Sequence, residues 1–111
     1  AHLYDSPGDD TFKAAPEYRK LYGEDFFVRA GLFDTVKAYA SNGGTDTAYL
    51  YDSALDDLLE ARDDWASLTN GTLDFANWAI GFERVEATAS NDGDTKDVEQ
   101  AVNFLFTYGP W

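Results

Sequence analysis

The chain has 111 residues, enough for one modest hydrophobic core and not for two. Its 8 basic and 21 acidic side chains leave a formal net charge of -13, which repels a phosphate backbone or an anionic bilayer and excludes nucleic acid and membrane as partners. With no Cys there is no disulfide, zinc-thiolate site or thiol catalysis, and no apolar run reaches membrane-span length, while 44% hydrophobic and 16% aromatic residues keep the chain among ordered folds.

In chain order, the first element is a short strand over 1–4, where Ala1 and Leu3 alternate with His2 and Tyr4. Pro7-Gly8-Asp9-Asp10 makes a turn, and Thr11-Phe12-Lys13-Ala14 makes a further strand that Pro16 stops. Tyr18 to Val28, around Gly23-Glu24-Asp25, reads as a hairpin excursion. Val36, Ala38 and Ala40 alternate with Thr35, Lys37 and Tyr39, a strand with one buried face, and Ser41-Asn42-Gly43-Gly44 supplies residues that tolerate positive φ in a tight turn. Ala48 and Leu50 then alternate with Tyr49 and Tyr51 in another strand. Read alone, 54–62 is a helix capped by Ser53 with acids in its first turn. Asn70-Gly71-Thr72 is a turn that also matches an N-glycosylation acceptor. Val85, Ala87 and Ala89 form the last alternating strand before the Ser90-Asn91-Asp92-Gly93 turn, and 95–106 mixes helical and strand spacing.

Much of this pattern occurs twice. Residues 1–14 match 48–61 with eight of fourteen identities, 47 positions on, and 33–42 match 82–91, 49 positions on. Two residues are therefore inserted between the matched blocks, most simply around 70–72. The repeat favours a strand over 54–62, because its counterpart Ser6-Pro7-Gly8-Asp9-Asp10 is a poor helix. The expected architecture is all-β: a parallel β-helix or β-solenoid of about two coils with one hairpin excursion per repeat, each coil burying its face on the next. Its parts are repeat 1 (1–47), repeat 2 (48–96) and a C-terminal cap (97–111). The chain opens in mid-repeat without an initiator Met, which reads as a piece of something longer.

Gly8-Asp9-Asp10-Thr11-Phe12-Lys13 fits the second half of the nonapeptide G-G-x-G-x-D-x-U-x, and Gly43-Gly44-Thr45-Asp46-Thr47-Ala48 keeps paired glycines and an Asp. These fragments resemble the RTX calcium-binding β-roll repeats, and L-Y-D-S-x-x-D-D is similar to tandem repeats of large secreted bacterial surface proteins. The resemblance implies bound Ca²⁺ and an extracellular or cell-surface location. A physical argument points the same way. If 47-residue coils stack about 4.8 Å apart, Asp5 lies over Asp52, Asp9 over Asp56 and Asp10 over Asp57, each pair costing about 0.9 kcal/mol even in water. An all-oxygen set of these six with Asp46 suits a hard cation, Ca²⁺ before Mg²⁺.

Tyr4, Tyr49 and Tyr51 are expected to form an exposed ladder able to stack on sugar rings. Trp65, Trp78 and Trp111 read as core or cap residues, and His2, in the slot of Tyr49, as a surface residue. With one His there is no Ser-His-Asp set, and 21 acids make any carboxylate pair uninformative about glycosidase chemistry. The expected function is a non-catalytic, Ca²⁺-stabilised structural or adhesive module of a secreted or surface protein, with polysaccharide or neighbouring repeats as partners. The alternatives are a carbohydrate-binding module or a fragment of a polysaccharide-active β-helix enzyme.

Overall fold

A computed structural model describes residues 2–15, 18–23, 27–29, 35–41, 43–52, 57–70, 75–90, 94–99, 102–109 and 111, and every regular element within them is a strand. In chain order these are β1 (His2–Tyr4), β2 (Thr11–Ala14), β3 (Arg19–Tyr22), β4 (Phe27–Arg29), β5 (Thr35–Tyr39), β6 (Thr47–Tyr51), β7 (Leu58–Arg62), β8 (Trp65–Asn70), β9 (Phe75–Ile80), β10 (Arg84–Thr88), β11 (Thr95–Val98) and β12 (Leu105–Tyr108). The period-two segments are strands as expected: in β5, β6 and β10 the buried residues are Val36 and Ala38, Ala48 and Leu50, Val85 and Ala87. The helix that 54–62 suggests in isolation does not form over its described part. Leu59 and Ala61 of β7 face the core, and Asp63, at φ 45, turns the chain back into β8. Tertiary pairing outweighs local propensity here. The mixed spacing of 95–106 resolves into β11 and the start of β12.

Two mixed six-stranded sheets result. One runs β1-β5-β9-β8-β7-β11 and the other β12-β10-β6-β2-β3-β4. Their inner faces share one core: Leu3, Val36, Ala38, Leu59, Ala61, Ala66, Leu68 and Ala79 from the first, and Phe12, Ala14, Leu21, Ala48, Leu50, Val85 and Ala87 from the second, with Phe82 between strands. Alanine supplies much of this list, and the molecule is only 18 Å along its shortest axis.

The expected stacking of one 47-residue coil on the next does not occur. Val36 and Ala38 lie in the first sheet and Val85 and Ala87 in the second, so the two copies are not neighbours in a solenoid. Parallel pairs instead join the start of each repeat to its own end, Leu3 opposite Ala38 and Leu50 opposite Ala87, and join repeat 1 to repeat 2 through non-equivalent strands, Phe12 opposite Ala48 and Val36 opposite Asn77. The physical reason is parity. In repeat 1 the chain crosses between sheets three times, from β1 to β2, β4 to β5 and β5 to β6; an odd number of crossings starts repeat 2 in the opposite sheet. Repeat 2 is then the first with the sheets exchanged. Phe12 faces Leu21 across an antiparallel pair just as Leu59 faces Leu68, and Leu21 faces Val28 as Leu68 faces Asn77.

Candidate metal centres

Each repeat closes on itself through two turns. In repeat 1 the turn between β1 and β2 lies against the turn between β5 and β6: Asp5 N–H donates to the Tyr39 carbonyl (3.0 Å) and Thr47 N–H to the Asp10 carbonyl (3.0 Å). Side chains complete the seam. Ser41 N–H donates to Asp5 Oδ1 (3.0 Å), Asp10 N–H to Asp46 Oδ1 (2.8 Å) and Thr45 N–H to Asp9 Oδ1 (2.7 Å). The turns come this close because Gly44 sits at φ +80, where a Cβ would overlap the Gly8 carbonyl.

The described ends of the connection between β6 and β7, Asp52 and Asp57, meet those of the connection between β10 and β11, Ser90 and Asp94, in the same way. Asp52 N–H donates to the Thr88 carbonyl (3.3 Å) and Thr95 N–H to the Asp57 carbonyl (3.0 Å). Ser90 N–H donates to Asp52 Oδ2 (2.8 Å) and Asp57 N–H to Asp94 Oδ1 (2.8 Å). Four contacts of one seam recur in the other.

This geometry gathers two carboxylate triads, Asp5 with Asp10 and Asp46, and Asp52 with Asp57 and Asp94. Each residue places an oxygen within 4.8 Å of the others. Five of the six are buried, at 1–6% exposure, and Asp52 is half-buried. In the first triad burial, then the carboxylates of Asp5, Glu83 and Asp10, push Asp46 up to about 6 against the lowering effect of the Asp10 N–H. In the second, burial and then the adjoining Asp52 and Asp57 carboxyls push Asp94 up to about 7. Asp94 Oδ2 is buried without a hydrogen-bond donor, which leaves a proton or a cation as its remaining source of compensation. The all-oxygen donor set therefore fits a hard metal ion.

The residues singled out in the sequence are regrouped by this arrangement. Asp5, Asp10 and Asp46 converge, as do Asp52 and Asp57. The expected stacks of Asp5 on Asp52 and Asp10 on Asp57 are absent, since the members of each pair belong to different triads. Asp9 is exposed and accepts from Thr45 outside the triad, and Asp56 lies outside the described residues. Asp94 was missed, although Asp94-Thr95 repeats Asp46-Thr47 at an offset of 48. Asn70, which reads as a turn and glycosylation acceptor, ends β8 at 5% exposure with its Nδ2 donating to Asp57 Oδ1 (2.7 Å).

The tyrosine ladder is divided between the sheets. Tyr4 and His2 of β1 both stack with Tyr39 in the first sheet, at 5.1 and 5.7 Å, whereas Tyr49 and Tyr51 lie on the second, Lys13 reaching over Tyr49. Trp65 packs against Trp78 on the outside of the first sheet, ring centroids 4.8 Å apart and tilted by 40°, rather than in the core. Trp111 donates from its indole N–H to the Ala87 carbonyl at 3.3 Å. Among the described residues no helix is long and apolar enough to cross a membrane. No family model, no curated protein and no solved structure matches this chain.

Proposed function

We propose that the protein is a non-catalytic, structural or adhesive repeat module of a secreted or cell-surface protein, in which Ca²⁺ closes each repeat by binding its aspartate triad. One observation carries this reading: two repeat-related triads, with five of their six aspartates buried and one oxygen without a donor, each join the first connection of a repeat to its last. An ion held by both turns restrains about forty residues between them, a constraint on the unfolded chain comparable in kind to a cross-link. Ca²⁺ is preferred over Mg²⁺ because it accepts irregular all-oxygen shells and loses its waters more readily. Modules with weak sites of this kind load at millimolar extracellular calcium. Neighbouring repeats are the proposed partners.

The test is thermal melting in chelator, in millimolar Ca²⁺, in millimolar Mg²⁺ and in NaCl at matched ionic strength. A ligand bound only by the folded state adds about 2.7 kcal/mol at a hundredfold excess over Kd, which raises Tm by roughly 10 °C or more for a domain of this size. Equal shifts in Ca²⁺ and NaCl would mean that the carboxylates are merely screened, and the calcium reading would fall.

A further inference from the structure

The same position in the two repeats has opposite surroundings. In repeat 2, β9 is covered along its outer edge by β5 of repeat 1, with Val36 opposite Asn77 and Lys37 opposite Trp78. Asn77 is fully buried, and the Lys37 ammonium lies 5.1 Å over the Trp78 ring. The counterpart of β9 in repeat 1 is β4, which among the described residues pairs only with β3. Val28, in the place of Asn77, faces the core side opposite buried Leu21 and is still 39% exposed, and Phe27 beside it is 62% exposed. The counterparts β6 and β1 show the same contrast: β6 is flanked by β2 and β10, while β1 has β5 on one side and, among the described residues, no strand on the other, with Tyr4 60% exposed. At the opposite end β12 lies on β10, Leu105 opposite Val85, in the place that β9 takes on β5, and β11 and β12 are the edge strands there.

We propose that the open edges of β1 and β4 together form a docking surface for one further repeat of the same kind. Its β2-like strand adds to β1 and its β5-like strand to β4, both parallel. The register follows from the internal junction. The incoming counterpart of Ala14 meets Leu3, because Ala14 meets Leu50; the counterparts of Val36 and Lys37 meet Val28 and Arg29, because Val36 and Lys37 meet Asn77 and Trp78. Unpaired strand edges carrying exposed aromatic side chains are templates for this kind of addition. The partner's chemistry is specified further by a cleft of about 280 Å³ lined by Tyr18, Lys20, Phe27 and Arg29. Lys20 and Arg29 are directly opposite one another on β3 and β4, so an incoming lysine at the Lys37 position adds a third cation. An acidic residue there is favoured.

The test extends the full chain at its N-terminus by a second copy of residues 1–47, which reproduces the junction between Thr47 and Ala48. Two versions are compared, the added copy unchanged and the added copy carrying Lys37→Glu. Amide hydrogen exchange in β1 and β4 should slow by roughly tenfold or more in the extended chain, which should melt in one transition above that of the original chain. The Lys37→Glu copy should protect β4 more strongly. Val28→Asp should shift the melting of the original chain by only a few degrees and abolish the protection in the extended one. Unchanged exchange in β1 and β4, or a separate melting transition for the added copy, would overturn the proposal. Equal protection by the Lys and Glu copies would overturn the register that brings position 37 to Arg29. Calcium is kept constant throughout, so failure here is distinct from failure of the metal reading.

Discussion

The two triads are built on the same four seam contacts and differ in what surrounds them. In the first, Ser6 satisfies Asp10 twice, its N–H donating to Oδ2 (2.6 Å) and its hydroxyl to Oδ1 (2.8 Å), while Glu83 brings a further carboxylate to the Asp46 N–H (2.6 Å). In the second, Ser90 donates to Asp52 from both N–H and hydroxyl, Asn70 donates to Asp57, and Asp94 keeps one oxygen without a donor. Asn70 occupies the slot of Gly23 in repeat 1. The repeated backbone therefore sets the frame, and unrepeated neighbours set the charge balance within it. The second triad is the one more dependent on a counter-charge.

The largest expected effect breaks the first seam alone. Gly44→Ala places a side chain at φ +80 and against the Gly8 carbonyl, so the turns must separate or the backbone must distort, at a cost of about 2–4 kcal/mol. Denaturant unfolding should show this loss together with a halving of the calcium-binding stoichiometry. A full complement of bound calcium in this variant would show that ligation does not require the two turns to meet.

A smaller effect has opposite signs in the two conditions. Asp94→Asn keeps an oxygen to accept from Asp57 N–H and removes a charge that burial and Asp52 disfavour. In chelator at pH 8 its Tm should rise by a few degrees. In millimolar Ca²⁺ it should fall below that of the original chain, because a neutral amide oxygen is a poorer ligand than a carboxylate. Asp46→Asn should behave likewise but gain less in chelator, since Asp46 is pushed up less far. A variant stabilised equally in both conditions would mark the second triad as an electrostatic defect without a metal role.

The sequence contains the strands and most of the ligands, but not which ligands meet. Period-two alternation locates β5, β6 and β10 because one face of each is buried, and this signal is local. The acids of the first triad and two of the second are visible as turn residues of a repeat. Their grouping depends on seam offsets of 36 residues, from Asp10 to Asp46, and 37, from Asp57 to Asp94, whereas the repeat offset is 47. Nothing local distinguishes a connection that crosses between sheets from one that folds back as a hairpin, and the parity of those crossings decides whether Asp5 faces Asp52 or Asp46. Asp94 was hidden for a related reason: the 49-residue match ends at Asn91, and the offset drops to 48 before Asp94.

The smallest expected effect, and the one that separates the triads most cleanly, is in the pH dependence of the metal-free protein. Asp46 and Asp94 both lie above the ordinary 3.8, at about 6 and about 7. The folded state thus binds more protons than the unfolded state above pH 4, and stability must fall as pH rises toward each folded value. Each group contributes at most about 1.4 kcal/mol per pH unit, and its contribution levels off once it is ionised in both states. Between pH 5 and 6 both triads should lower Tm in chelator, between pH 6 and 7 only Asp94 should, and above pH 7 the curve should flatten. Asp94→Asn should therefore abolish the slope between pH 6 and 7, and Asp46→Asn should leave it. Millimolar Ca²⁺ should reverse the trend, because the ion must displace the Asp94 proton, and calorimetry in two buffers of different ionisation enthalpy should detect proton release at pH 6 that disappears by pH 8. If Asp46→Asn and Asp94→Asn flatten the same part of the curve, the two triads are electrostatically equivalent, and the asymmetry attributed to Glu83, Asn70 and the donorless oxygen of Asp94 does not govern them.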